Sequence, residues 1–596
     1  MKGFLTRSLG LSLILAGVAF PVLAQGTDSA YAPAAGIVSS KPAFSGLAVE
    51  QSGSASPSLQ PPSAASEAVK TDILAIEPVT AAPLPNVSPE SIGEQNSGNL
   101  GSDMWKGSDR GVAMRLLSFL SPVTSPVLND LAARLLTTAA IPPEGEADST
   151  PSLTSLRAEK LVLFGDAAEA WDLAKQADPK LIDAQTFHLV AENALLGGDE
   201  SVCAQAPDFA KAHVGADWQE FLILCRLRAK DNQSAQVALD VFRAEDGRDS
   251  VFLNVADKNI LGGSKTLPSS LTPLTPLTLA LLQTANLPLP SSLFAHAEYS
   301  MASALLRLPA QQDGAKLALA ENAAQRGLVK ISQLEAVYRA VDFSPEALAS
   351  PLTSAESGAR LRALLFNASE AAKDAAAKIV LAGRFAQTAP PEFLNGAGGV
   401  LAAMLGDIKP DPAFVKEAAA VARLYMLGGK IEAAQEWLKF AEDSGLCDDD
   451  IQAFWPQFAL GGIEAENAYD ADFRKWLDGA SKTSDEPTMR HLVEPILLFL
   501  DAAGKPVPEN AWAQVLSAFS NEKKIAFPTL LFEKMRAAAS AHRRAETVLL
   551  AEALASDGAL SLPAALGIVH SLRQAGFENE ASLFARQAIA LLSKDN

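Results

Sequence analysis

Few side chains in this 596-residue chain could do covalent or ligand chemistry: there are three cysteines and six histidines. Cys203 and Cys225 lie 22 residues apart, on two expected helices joined by a loop that contains Pro207 and Gly215. An antiparallel hairpin can bring two such Cα atoms within the ~4.4–6.8 Å a disulfide needs, so the pair is expected to bridge. Cys447 stands alone before Asp448-Asp449-Asp450, whose charges disfavour a thiolate. That triplet lacks the spaced oxygen ligands and glycine of an EF-hand loop, and reads as acidic residues opening a helix. Ser520 and Lys523 have the S-x-x-K spacing of some acyl-transfer enzymes, but no S-D-N or K-T-G companion follows. Gly396-Ala397-Gly398-Gly399 resembles half a phosphate loop; no strand precedes it, and Leu401 stands where the third glycine belongs. His188, His213, His296, His491, His542 and His570 show no metal-ligand spacing. The expectation is therefore no catalytic residue, no cofactor and no metal.

The elements that would hold these residues are helical. Hydrophobic residues make up 48% and aromatics only 6%, much of the apolar content being alanine and leucine. That composition favours helices packed through small side chains over sheets rich in valine, tyrosine and threonine. From Leu153 onward a unit recurs: a helix ends on leucine or alanine, turns at a glycine-type corner, and restarts with a small residue five positions later. The pairs are Gly165 with Ala170, Gly198 with Cys203, Gly429 with Ala434 and Gly576 with Ala581; Lys230-Asp231 with Ala235 is a glycine-free version, and Gly327 with Ser332 a looser one. A residue tolerant of positive φ ends the first helix, and the small residue lets the second approach it closely. The first three corners, at 165, 198 and 230, are 33 and 32 residues apart. This spacing resembles the ~34-residue period of the tetratricopeptide and related helical-repeat families. The resemblance is to their repeat logic, without their full aromatic and proline pattern. It implies an α-solenoid of helix hairpins and a role in holding other proteins.

Residues 1–24 read as a secretory signal peptide. Lys2 and Arg7 supply positive charge, Leu9 to Phe20 is apolar and uncharged, and Val22-Leu23-Ala24 gives small residues for cleavage between Ala24 and Gln25. The expected destination is the bacterial periplasm, with no integral membrane span. Residues 25–103 are rich in Ala, Ser, Pro and Gly without a sustained period, and read as a disordered low-complexity segment. An N-terminal helical-repeat region follows at 104–250, then a Pro/Leu/Thr-rich crossing at 251–292, a middle helical region at 293–405 and a C-terminal helical-repeat region at 406–596.

Net charge is −20. Nucleic-acid phosphates and anionic lipid headgroups repel such a surface, which favours basic segments of protein partners. Trp455, Phe458, Phe473 and Trp476 are expected to line a partner groove. The functional expectation is an exported, non-enzymatic scaffold for other envelope proteins. Soluble lytic transglycosylases are similar in length and carry a helical superstructure ahead of their catalytic domain. Residues 500–596 lack that domain's Glu-Ser pair and Gly-Leu-Met-Gln-type run, so the peptidoglycan-acting alternative has no catalytic acid.

Overall fold

The computed structural model describes residues 88–94, 100–146, 151–205, 207, 216–246, 251–261, 271, 274–285, 288–463, 469–483, 493–508, 510–512, 529–556 and 560–592. All belong to Ala81–Asn596, one of the two units into which the chain divides. The expected signal peptide with Ala24 and Gln25, most of the 25–103 segment, His213, His491, Ser520 and Lys523 lie outside the described residues. Among the described residues every regular element is helical, and the only bridges between extended residues are isolated. The all-α expectation is met by antiparallel hairpins such as Ala418–Leu427 with Ile431–Ser444 and Leu562–Gln574 with Glu578–Leu592.

The corners work as the spacing predicts. At Gly165, whose φ is +86°, the glycine N–H bonds to Val162 O and the next N–H, of Asp166, bonds back to Leu161 O. These paired bonds satisfy carbonyls that the helix end would leave orphaned. The same pair closes the corners at Gly198, Gly327, Gly429 and Gly576, and at Lys230, a non-glycine residue held at φ +60°. Behind the corners Ala170, Ala235, Ala434 and Ala581 are each 0% exposed, so any larger side chain there would push the paired helices apart. Helix starts are fixed just as locally. Asp109, Ser125, Ser152, Asp183 and Ser561 each accept a backbone N–H of the first turn, a contribution of about 1 kcal/mol per cap.

Three expectations are corrected. The 251–292 crossing contains two helices, Val251–Leu261 and Pro276–Ala285. Pro276 opens its helix at the first position, where its missing N–H costs nothing, instead of breaking the chain. Leu277, Leu279, Ala280, Leu281 and Leu282 are buried, because that helix packs against Ala184–Gly197 and Ala216–Arg228 as well as its own neighbour. Conversely, the start of the middle helical region, whose residues 293–308 read in sequence as one helix, is split into Ser291–Ala295, a 3-10 turn at Tyr299–Met301, and Ala302–Leu306.

The third correction concerns where packing begins. Residues 88–94 and 100–103, placed in the low-complexity segment by composition, lie as a strap on the first three helices. Glu90 pairs with Arg110 through two 2.8 Å hydrogen bonds, with both side chains 5% exposed. Arg157 is buried and donates to Leu136 O, Thr138 O and Ile92 O, tying the strap to the end of the Pro126–Thr137 helix. Burial lowers its guanidinium to about 10, against the opposing pull of Glu90.

The strap also reaches the far end of the sequence. Arg544 donates to Leu100 O, and the Ala545 N–H to Met104 O. Alongside, Arg134 pairs with Glu580 at 2.6 Å and Ser125 bonds to Gln587 at 2.9 Å. The first two helices thus pack on Arg544–Ala555, and the stack closes on itself.

Glu552, 2% exposed, lies in that closing helix with neither carboxyl oxygen hydrogen-bonded. Burial raises its pKa well above the ordinary 4.5. The folded state therefore holds it protonated, and its contribution to stability is complete below the unfolded value and lost as pH rises toward the folded one. Glu552→Gln should melt with the wild type at pH 4 and increasingly above it toward pH 8. Parallel melting profiles across that range would contradict this assignment.

Candidate functional site

Three corners carry an aspartate directly after the turning residue, and they use it differently. At Gly198 the Asp199 carboxylate accepts the Ser201 N–H, and at Lys230 the Asp231 carboxylate accepts the Ser234 N–H. Both carboxyls are held below the usual range, first by the Ser201 and Ser234 side chains. At Gly165, Asp166 precedes the helix Ala167–Gln176 but makes no capping bond. Its carboxyl is pushed up to about 6, by burial first and then by Glu169; Lys330 pulls it down and Asp130 raises it further.

Asp166 lines a cleft of about 690 Å³ where the corners at 165, 197–198 and 327 come together. Packing at the corners sets its walls. The space beside Gly165 is closed by Leu328 O, and Gly327 seats on Pro126. Asn129, buried, bonds to Val123 and donates to Arg326 O, joining the Pro126–Thr137 helix to the 327 corner. Gln333 donates to Ser303 across the opposite wall at 2.7 Å. Arg307 caps the end of Ala184–Gly197, donating to Gly197 O at 3.2 Å and Leu196 O at 3.1 Å. Its positive charge is thus spent on helix-end carbonyls. Asp130 is paired with Arg134 of its own helix at 2.9 Å, so among the described lining residues Asp166 and Glu169 are left facing Lys330. Such a concave, mixed-polarity surface recognises polar or charged groups. Among the described residues, no group of three or more His, Cys, Asp or Glu is placed to hold a metal ion.

The other residues singled out in sequence sit elsewhere. Cys203 and Cys225 form a disulfide with Cα atoms 5.5 Å apart, as expected. The small position of the second corner is thus filled by a cross-link instead of an alanine. Unfolded under non-reducing conditions, the protein should titrate one thiol, Cys447; three would contradict the bridge. Replacing both cysteines by serine should cost about 3 kcal/mol, the loop-closure value for a span of this length. Cys447 is buried, with Sγ 2.9 Å from Val415 O, and Asp448–Asp450 occupy the first turn of Asp448–Gly461. Both fit the structural reading.

The aromatic groove expectation fails. Trp455, Phe458, Phe473 and Trp476 are 3%, 1%, 1% and 7% exposed. Trp455 packs on Phe473 and Trp476 at 5.5 Å, filling the seam between Asp448–Gly461 and Tyr469–Thr483. Bulky rings fill volume that alanine and leucine leave open, which ranks above their use on a surface.

The glycine run at 396–399 is a helix junction, between Pro391–Ala397 and Gly399–Leu405. Two other helix ends rest directly on its backbone: a Cβ at Gly396 would lie 2.0 Å from Gln325 O, and one at Gly398 2.2 Å from Leu427 O. Sequence reasoning missed the cleft. Its one visible trace is the Gly/Lys-Asp pair repeated at 165, 198 and 230, in which only the first lacks the serine that occupies the aspartate at the other two.

No helix among the described residues is long and apolar enough to cross a membrane. No protein-family model, curated protein or solved structure matches the chain.

Proposed function

We propose that this protein is an exported scaffold of tetratricopeptide-like hairpins that holds other envelope proteins together and performs no turnover of its own. The observation that carries the reading is the way corner chemistry is used. At successive corners glycine, alanine and capping aspartate serve helix packing, and the polar groups left over line an open cleft where corners meet. Stacked hairpins of this kind present extended surfaces suited to segments of other proteins. The disulfide supports an oxidising compartment, and with the leader-like first 24 residues favours the periplasm. Settings consistent with this are cell-wall enzyme regulation, envelope assembly, and motility or secretion machinery.

The test is crosslinking in the cell followed by purification of the mature chain. A defined set of envelope proteins, recovered in fixed proportion, is the expected result. Release of muropeptides from peptidoglycan by the purified protein would replace this reading with the enzymatic one.

A further inference from the structure

We propose that the cleft between the corners at Gly165, Gly197 and Gly327 takes a basic side chain, a guanidinium or ammonium, presented by a partner polypeptide, with Asp166 and Glu169 as its anionic contacts. This rests on the scaffold reading and names the chemistry its partner would carry.

Four observations point the same way. Asp166 is half-buried in the cleft wall and forms neither a capping bond nor an ion pair, unlike its counterparts Asp199 and Asp231. Leaving a carboxylate partly desolvated without a partner is costly, and a cation entering the cleft would remove that cost. The cleft already accommodates the proposed chemistry once: Arg307 of this chain lays its guanidinium on the carbonyls of Leu196 and Gly197. Among the described residues these acids belong to no group placed to hold a metal ion, and the proposed cation is an organic one. Finally, the volume of about 690 Å³ exceeds what one side chain fills, so flanking residues of an extended segment enter with it.

Charge balance supports a basic group too. With Asp130 paired to Arg134, the described lining sets Asp166 and Glu169 against Lys330, while Arg307 is bonded to carbonyls. These are also the groups that set the pH dependence: Glu169 from Asp166's own helix, Asp130 from Pro126–Thr137, and Lys330 from the corner before Ile331–Arg339. Ionisation of Asp166 near 6 makes binding stronger at pH 7.5 than at pH 5.

The experiment is calorimetric titration of the full mature chain with an acetylated hexa-arginine amide, at both pH values and moderate salt. Saturable binding is expected, weakened about tenfold or more in Asp166→Asn/Glu169→Gln, with the pH dependence lost in Asp166→Asn. The triple variant Asp448→Asn/Asp449→Asn/Asp450→Asn, which removes three charges far along the sequence against the two of the cleft variant, should bind within about twofold of wild type. Equal weakening by that variant would show attraction to net charge and overturn the proposal. So would spermidine binding as tightly as the peptide, which would make the ligand a free polyamine. Partners recovered by crosslinking that are indifferent to the cleft variants would overturn the cleft assignment and leave the scaffold reading standing. Peptide binding without recovered partners would do the reverse.

Discussion

Gly396→Ala and Gly398→Ala should each destabilise the helical unit by about 3 kcal/mol or more, at or beyond the upper end of ordinary overpacking. The reason is what the new methyl group meets. At Gly396 it falls 2.0 Å from Gln325 O and 2.8 Å from Ala324 O; at Gly398 it falls 2.2 Å from Leu427 O and 2.5 Å from Leu394 O. Backbone carbonyls at helix ends cannot swing aside as a side chain can, so a whole helix must withdraw. Val400, Leu401, Met404 and Leu405, buried just beyond, would then lose their partners. Gly383→Ala is the matching control. Gly383 lies inside Ala375–Thr388 with nothing within 4 Å of an added Cβ. There alanine should raise stability by up to about 1 kcal/mol, by narrowing the unfolded ensemble. Thermal melts of the three variants decide the matter; equal small effects would mean that the close approach at the glycine run is wrong.

Arg362→Met should cost about 3–5 kcal/mol, the value for removing one partner of a buried ion pair. Arg362 donates through Nε to Glu321 Oε1 at 2.8 Å, through Nη2 to Glu321 Oε2, and through Nη1 to Thr388 O at 2.9 Å. Tyr338 adds its hydroxyl to Glu321 Oε1 at 2.7 Å, and burial raises that hydroxyl well above its ordinary pKa. The two charged side chains are only 8% and 9% exposed. Without the guanidinium, Glu321 keeps a charge in a dry site with the tyrosine as its remaining hydrogen-bond donor. Glu321→Leu together with Arg362→Met removes both charges and should recover most of the loss. Additive losses in the double variant would show that these side chains contribute by packing alone.

What the sequence conveyed follows from which interactions are local. A corner spans six residues and its bonds close within them, so Gly165, Gly198, Lys230, Gly429 and Gly576 were legible from residue type and spacing. Two further corners of the same geometry were not: Gly504, and His542 at φ +53°. Gly504 ends a leucine run as Gly576 does, but Glu509 stands where a small residue is expected five positions later, and histidine is an unusual occupant of that conformation. The strap was hidden because its partners are distant. Glu90 finds Arg110, Leu100 finds Arg544, and no period in residues 88–103 announces either contact. Pro276 shows the ambiguity of proline, which starts a helix as readily as it stops one. The cleft was the least visible feature, since it is assembled from corners more than a hundred residues apart, at 165 and 327. Only the use of each aspartate, bonded at 199 and 231 but not at 166, separates it from the corners that merely fold.

Partner holding in the corner-built cleft is the proposal on which the functional reading depends. A photo-crosslinking residue at Ala168, exposed on the cleft wall, tests it in the living cell. The expected result is a discrete adduct with an envelope protein, crosslinked through a basic segment and lost when Asp166→Asn/Glu169→Gln is introduced. No adduct at Ala168, or one that the double variant leaves undiminished, would contradict it.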